Sequence, residues 1–136
     1  MKKYLLDTNI CIFYLKGRYD LDRKVEQAGF ENCFVSEVTI AELKFGAENS
    51  EHIERNRVVV AQFSSTFQVI PIFGSLDVYA KEKARLRKIG YLIDDFDLLI
   101  GATAIANELV MVTNNTKHFS RIENIVLEDW TTSLFL

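Results

Sequence analysis

Three carboxylates and one amide stand at the ends of the most strongly patterned segments of this chain. Each of them follows an apolar run or opens a helix-like stretch: Asp7, Glu42, Asp97 and Asn115. Residues at the carboxyl ends of parallel strands, or in the first turn of the next helix, meet in the crevice where open α/β sheets bind ligands. Two unit charges about 4 Å apart repel by about 4 kcal/mol at an effective dielectric constant near 20. A carboxylate cluster there therefore calls for a cation, and Mg²⁺ or Mn²⁺, which prefer oxygen ligands, suit it best.

Each of these residues also has a purely structural interpretation. Asp7 could cap the following helix, and Glu42 could complete a capping box. Asp97 could, with Asp94, complement a helix dipole, and Asn115 could belong to a turn. Four independent caps that all fall at the carboxyl edges of different βα units are a weaker explanation than one shared site. The joint occurrence therefore favours a metal site.

The elements that must position these side chains are predicted from hydrophobic periodicity and from glycine stops. Strands are expected over residues 3–6, 33–36, 69–73, 109–113 and 125–127. Helices are expected over residues 9–15, 21–28, 39–46, 53–67, 76–89 and 97–107. Thr39 is expected to cap the third helix, with Glu42 at its third position. Strands that alternate with helices indicate an α/β fold with a mainly parallel sheet.

Length and composition agree with one domain over residues 1–136. The apolar fraction of 49% is sufficient for a core, and no stretch approaches the roughly 20 apolar residues of a membrane span. Asp7 interrupts the first apolar run well short of a secretory signal. Cys11 and Cys33 are most simply reduced core thiols, so the cytoplasm is the expected location.

The net charge of −3 is unusual for a nucleic-acid-binding domain, which is generally basic. Basic residues are nevertheless clustered in two stretches, 81–88 and 55–57, which taken singly are most simply solvated helix faces. If the carboxylates bind metal, the local field inverts and a phosphate backbone becomes favourable there. His52 and His118 are isolated, which argues against zinc, and no P-loop, G-x-G-x-x-G or G-x-S-x-G motif is present.

Four segments in order resemble the motifs of PIN-domain ribonucleases, in the form found in VapC toxins of toxin–antitoxin pairs. They are Leu5–Asn9, Ser36–Gly46, Phe96–Ala102 and Val112–Phe119, the last followed by Glu128-Asp129-Trp130. The resemblance implies a PIN-like (Rossmann-like) α/β/α sandwich and RNA cleavage that inhibits translation. It also implies a homodimer and inhibition by a VapB-like antitoxin. Asp7, Glu42 and Asp97 match the family's acidic, Mg²⁺- or Mn²⁺-binding positions, and Asn115 matches a fourth position that is Asp in many members.

Two departures from the family pattern bear on the site. Asn115 brings no charge, so a second metal would be held more weakly or only together with substrate phosphate. Asp94 and Asp95 stand where the toxins often have Gly-Pro. Either could join the site as an extra carboxylate, but a solvated loop is favoured because the match at Asp97 is in register without them.

The resemblance and the residues together suggest a mechanism. One cation held by Asp7 and Asp97 would contact the scissile phosphate and deliver a hydroxide. Glu42 would orient the water or bind a second ion. Thr8 and Thr113 are expected to hold carboxylate oxygens by hydrogen bonds, although plain capping or turn formation explains them equally well.

A partner is also expected at the acidic crevice. Arginine suits three carboxylates because its planar fork binds them in bidentate fashion and stays charged. An antitoxin helix could lie along apolar positions of the first two helices and of residues 43–45, with an arginine directed at the crevice.

Two other functions remain open at this level. A phosphotransfer domain or phosphatase also places an Asp after a parallel strand, but the phosphatase needs a second Asp two residues later, where this chain has Asn9. A catalytically silent binding module would keep the fold and the partner. Retention of all three carboxylates argues against it.

Overall fold

A computed structural model describes residues 2–132, so Met1 and residues 133–136 of the expected 1–136 domain lie outside it. The described residues form five strands: β1 (Tyr4–Leu6), β2 (Cys33–Ser36), β3 (Gln68–Ile70), β4 (Val110–Val112) and β5 (Leu127–Glu128). They also form seven α-helices: α1 (Thr8–Leu15), α2 (Leu21–Ala28), α3 (Glu37–Glu48), α4 (Ile53–Thr66), α5 (Leu76–Ile89), α6 (Asp95–Ala106) and α7 (Thr116–Phe119). Short 3₁₀ turns cover Phe30–Asn32 and Phe73–Ser75.

The five described strands form one sheet in the order β3-β2-β1-β4-β5, and all four pairings are parallel. Successive side chains of a strand face opposite sides of the sheet. Leu6 therefore joins a core cluster with α1–α4, and Leu5 joins another with α5–α7. The predicted α/β/α sandwich with a parallel central sheet is confirmed.

The prediction that Thr39 caps α3 is wrong. The helix begins at Glu37 because the Ser36 side chain accepts a hydrogen bond from the backbone N–H of Val38. Thr39 is consequently the third helical residue, fully buried, and Glu42 lies a full turn into the helix. The helix also continues past Gly46 to Glu48.

The boundaries of α6 and of the edge strands also differ from the sequence-based ones. Asp94 caps α6 by accepting from the N–H of Phe96, so the helix begins at Asp95 and Asp97 is its third residue. The strand expected over 69–73 ends at Ile70 and is followed by a 3₁₀ turn. The strand expected over 125–127 occupies Leu127–Glu128. The short helix α7 was not predicted.

Gly90 is required by its backbone conformation and Gly101 by packing. Gly90 ends α5 in the left-handed conformation (φ +78°), where a side chain is strained. A Cβ atom at Gly101 would lie 2.5 Å from Cδ1 of Ile122, so glycine allows α6 to approach that side chain closely. Both cysteines are buried free thiols, as predicted. Among the described helices, none has the length and apolar character needed to cross a membrane.

Candidate active site

The order of the sheet places the candidate residues around one crevice. β1 lies between β2 and β4, so the connections that leave β1 and β4 diverge, and a ligand-binding crevice forms at such a point. A cavity of about 360 Å³ opens there. All four sequence-predicted candidates line it: Asp7, Glu42, Asp97 and Asn115.

Asp7 lies directly after β1 and is only 4% exposed. Its Oδ1 accepts from the backbone N–H of Thr8 at 2.8 Å, and its Oδ2 accepts from Thr113 Oγ1 at 2.9 Å. Asp7 is therefore both the cap of α1 and a wall of the crevice. Burial raises the pKa of Asp7 to about 6, with smaller contributions from the negative charges of Asp97 and Glu42, while the two hydrogen bonds oppose the shift.

Glu42 is held by a chain of hydroxyl groups. Thr8 Oγ1 donates to Glu42 Oε1 at 2.7 Å and lies 2.9 Å from Thr39 Oγ1. Since a hydroxyl has one proton, the Thr8 proton is directed to Glu42 and Thr39 must donate to Thr8. Thr39 thus orients Thr8, and Thr8 orients Glu42. The sequence had suggested a capping role for Thr39 instead.

Asp97 projects from the first turn of α6, and its side chain is 36% exposed. His118 Nε2 lies 3.3 Å from Asp97 Oδ2, and this contact becomes an ion pair when the imidazole is protonated. Burial raises the pKa of Asp97, and the nearby Asp94 charge adds to the shift, whereas His118 opposes it. His118 is isolated in the sequence, and only the fold brings it from α7 to Asp97 on α6.

Asn115 ends the connection after β4 and immediately precedes α7. Its backbone N–H donates to Thr113 Oγ1 at 3.0 Å, and Thr113 in turn donates to Asp7. Its side chain makes no capping hydrogen bond to α7. The amide therefore remains available to the crevice, while the backbone of the same residue helps to orient Asp7.

The remaining two carboxylates of the 94–97 segment have structural roles. Asp94 caps α6. Asp95 accepts from Tyr79 Oη and forms a 2.8 Å ion pair with Lys83 on α5. Neither residue lines the crevice.

The donor set fits a divalent cation in its chemistry. Carboxylate and amide oxygens are the ligands that Mg²⁺ and Mn²⁺ prefer. In the described part of the chain, no cationic side chain lines the crevice, so its carboxylate charge is not compensated there. As the side chains stand, however, no group of three or more His, Cys, Asp or Glu within residues 2–132 is assembled to hold a metal. Glu42 is drawn towards Thr8 and Asp97 towards His118, which keeps the like charges apart.

Two aromatic side chains border the carboxylates. Phe45 follows Glu42 by one turn of α3, and Phe96 precedes Asp97 on α6; both line the crevice and are 68% and 49% exposed, respectively. Each of them lies within three positions of its acidic neighbour in the sequence. Only the fold shows that they flank the same opening.

The PIN-domain family profile matches residues 4–125, which include every candidate residue described above. The chain belongs to the PIN-domain family. It is 35% identical over 131 residues to the tRNA(fMet)-specific endonuclease VapC of Shigella flexneri, covering 96% of this chain and 99% of that protein. It is 37% identical over 138 residues to ribonuclease VapC2 of Haemophilus influenzae, with the same coverage.

Solved structures agree with this assignment to the PIN domain. A crystal structure of DNA-bound VapBC from Salmonella typhimurium superposes with a TM-score of 0.90 at 34% identity, covering 96% of this chain and 99% of that one. VapBC2 from Rickettsia felis, bound to a promoter DNA fragment, gives a TM-score of 0.86 at 33% identity, covering 93% and 98%. The described PIN domain thus has close relatives in both sequence and fold among VapC proteins.

Proposed function

We propose that this PIN-domain protein is a metal-dependent endoribonuclease, the toxin of a VapBC-type pair. It would cleave RNA in the cytoplasm, and so inhibit translation, with the whole chain acting as one domain. The observation that supports this best is the uncompensated buried carboxylate of Asp7 in a crevice shared with Glu42 and Asp97. An isolated buried charge is costly to a fold, and such residues are concentrated at functional sites.

Asp7, Asp97 and Glu42 are the proposed ligands of Mg²⁺ or Mn²⁺, and Asn115 would add a neutral ligand or a hydrogen bond. The bound ion would lower the pKa of a water molecule and stabilise charge on the phosphoryl oxygens. The chain's own contribution is to position the ligands. Thr113 holds one oxygen of Asp7, and Thr8 holds one oxygen of Glu42, so fewer rotamers have to be fixed when RNA binds.

A cleavage assay with a labelled single-stranded RNA tests the proposal directly. Activity should require Mg²⁺ or Mn²⁺ and disappear in EDTA. Asp7→Ala, Glu42→Ala and Asp97→Ala should each reduce the initial rate by at least about 100-fold, since each removes charge that stabilises the transition state.

Asp95→Ala is the matched control, because Asp95 is an exposed acid on the same helix as Asp97 and is paired with Lys83 outside the crevice. It should cleave at the wild-type rate. Full activity in Asp97→Ala, in preparations shown to be free of contaminating ribonuclease, would defeat the mechanism. Formation of an acid-labile aspartyl-phosphate on Asp7 would instead indicate phosphotransfer.

The proposed protein partner is a VapB-like antitoxin, as in the VapBC relatives. A second groove, of about 700 Å³, shares Ile12 and Glu42 with the crevice and runs between α1, α3 and α4. Its apolar walls include Leu15, Leu43 and Val59, whereas α2, which was expected to contribute, supplies no lining residue. An antitoxin helix in this groove could direct an arginine at the carboxylates. In the same assay, high Mg²⁺ should weaken inhibition, and an antitoxin that inhibits fully without that arginine would contradict this arrangement.

A further inference from the structure

A basic and aromatic pocket lies on the opposite side of α7 from the acidic crevice. We propose that it binds single-stranded RNA beside the cleavage site, with a base stacked on Tyr91 and backbone phosphate near Lys117 and Arg121. This inference rests on the proposed ribonuclease function. The pocket, here called the Tyr91 pocket, has a volume of about 440 Å³ and is lined by Ile89, Tyr91, Lys117, Ser120 and Arg121.

The short helix α7 separates the two pockets. Asn115 and Phe119 line the crevice, whereas Lys117 and Ser120 line the Tyr91 pocket. With 3.6 residues per turn, the helical residues Lys117 and Phe119 are about 200° apart around the axis, so the two pockets lie on opposite sides of α7. A helix with its side chains is about 10–12 Å across, so a strand a few nucleotides long could cross α7 and reach both pockets.

The charges of the Tyr91 pocket complement a phosphate backbone. Among residues 2–132, no carboxylate side chain lines it. Within the described part of the chain, the ammonium of Lys117 and the guanidinium of Arg121 form no salt bridge or side-chain hydrogen bond. This sets them apart from Lys83 and Arg85 on α5, which are both paired with acids. The unpaired cations would offset the repulsion that the acidic crevice exerts on RNA.

The aromatic part of the pocket suits a nucleobase. The Arg121 guanidinium lies over the Tyr91 ring, 5.4 Å from its centroid, and Tyr91 remains 55% exposed. Bases in single-stranded RNA stack on tyrosine rings and on arginine planes, irrespective of sequence. An acidic peptide would satisfy the two cations but would gain little from the planar Tyr91–Arg121 pair. RNA is therefore the favoured occupant.

The walls of the pocket are fixed by hydrogen bonds from α5. Arg85 Nη2 donates to the backbone carbonyl of Arg121 at 2.8 Å, and Glu82 Oε2 accepts from the N–H of Glu123 at 2.7 Å. On the other wall, the left-handed Gly90 lets the Tyr91 N–H donate to Leu86 O at 2.9 Å. Both walls are therefore anchored to α5, and a pocket held open in this way loses little entropy when it binds a ligand.

Fluorescence anisotropy with a labelled, mixed-sequence single-stranded RNA in EDTA tests the pocket without cleavage. Tyr91→Ala should weaken RNA binding by about tenfold, the lower part of the range for loss of one stacked base, while Tyr91→Phe should bind like wild type. The double variant Lys117→Gln with Arg121→Gln should reduce the slope of log affinity against log salt by about 1.4, because each lost phosphate contact accounts for about 0.7.

Two controls separate stacking from charge. Arg23→Gln removes an exposed arginine from α2, remote from the pocket, and should leave the salt slope unchanged. Linear polyphosphate, which has no bases, should bind Tyr91→Ala as well as wild type but bind the double variant more weakly. Equal losses of RNA and polyphosphate in Tyr91→Ala would overturn base stacking.

The outcomes for the pocket and for the proposed function are distinguishable. Cleavage by the wild type together with undiminished RNA binding by Tyr91→Ala and by the double variant overturns the pocket alone. Loss of antitoxin binding in these variants, with RNA binding intact, reassigns the pocket to a protein interface and also overturns it. RNA binding that requires Tyr91, in a protein that never cleaves RNA, upholds the pocket and overturns the proposed function.

Discussion

Two buried carboxylates of this PIN domain, Asp7 and Glu82, have opposite electrostatic surroundings. Both are less than a tenth exposed. The pKa of Asp7 is raised to about 6 by burial, whereas the Arg85 hydrogen bonds lower the pKa of Glu82, aided by the N–H of Glu123. Glu82 joins α5 to the segment after α7, where its carboxylate accepts hydrogen bonds from Arg85 and from the backbone N–H of Glu123. At Asp7 the fold supplies hydroxyl and amide donors but no cation, which is the arrangement expected where a ligand brings the positive charge.

We expect two similar substitutions, Asp7→Asn and Glu82→Gln, to have opposite effects on the stability of the metal-free protein. Asp7→Asn should raise the free energy of unfolding at about pH 7.5 by roughly 1–3 kcal/mol, because it removes an ionised group that burial disfavours. Glu82→Gln should lower it by about 2 kcal/mol, the typical value of a charged hydrogen bond. Urea titrations monitored by circular dichroism measure both changes.

The pH dependence of stability sharpens the same prediction. The folded-state pKa of Asp7, about 6, exceeds the ordinary value of 3.8, so the folded protein binds this proton more tightly than the unfolded chain does. Its contribution to stability is complete below about pH 3.8 and is lost as the pH rises through 6. Lowering the pH from about 7.5 to about 5 should therefore stabilise the wild type, relative to Asp7→Asn, by roughly 1–1.5 kcal/mol. If Asp7→Asn destabilises the protein at all of these pH values, Asp7 is structural in the same sense as Glu82.

A bound metal ion should offset the electrostatic cost of the carboxylates in the crevice, whereas the paired Glu82 should not contribute to the metal response. A ligand that binds only the folded state adds about 2.7 kcal/mol when present at 100 times its dissociation constant. Mg²⁺ or Mn²⁺ should raise the melting temperature of the wild type and of Glu82→Gln by similar amounts. Asp97→Asn should melt higher than the wild type without metal, since repulsion is removed, but respond weakly to it. An unchanged metal response in Asp97→Asn would remove that residue from the site.

Local chemistry explains which parts of this PIN domain could be predicted from sequence. The bounds of α2 and α5 are correct because a glycine ends each helix and an apolar stripe marks its length. The start of α3 was misplaced because Ser36, the last residue of a strand, also caps the helix, and this dual role has no separate pattern. α7 was missed because its four residues are too few to show periodicity.

The candidate site, too, could be predicted only in part from the sequence. Each of the four candidates lies shortly after a strand or near the start of a helix. The order of strands and helices in a parallel sheet is therefore sufficient to bring them to one crevice. The His118–Asp97 contact and the hydrogen bond from Arg85 to the Arg121 carbonyl join segments far apart in the chain. No pattern of spacing records such contacts. Glu82 and Arg85 are three residues apart on one helix, but their contacts with the backbone of Glu123 and Arg121 depend on the fold.

The smallest expected effect concerns Asn115, the uncharged member of the crevice. In the described part of the chain, the crevice differs from the surroundings of Glu82 in that its carboxylates are not paired with a cation. If catalysis depends on that negative charge, Asn115→Ala should slow RNA cleavage only by roughly 3- to 10-fold, as for a lost neutral hydrogen bond. The backbone N–H of Asn115, which donates to Thr113, is retained in the variant, so Asp7 keeps its orientation. The exposed position predicts a stability change within about 0.5 kcal/mol. Loss of activity as complete as in Asp7→Ala, in a variant of unchanged stability, would mean that the amide oxygen is an obligatory ligand and that charge alone does not define the site.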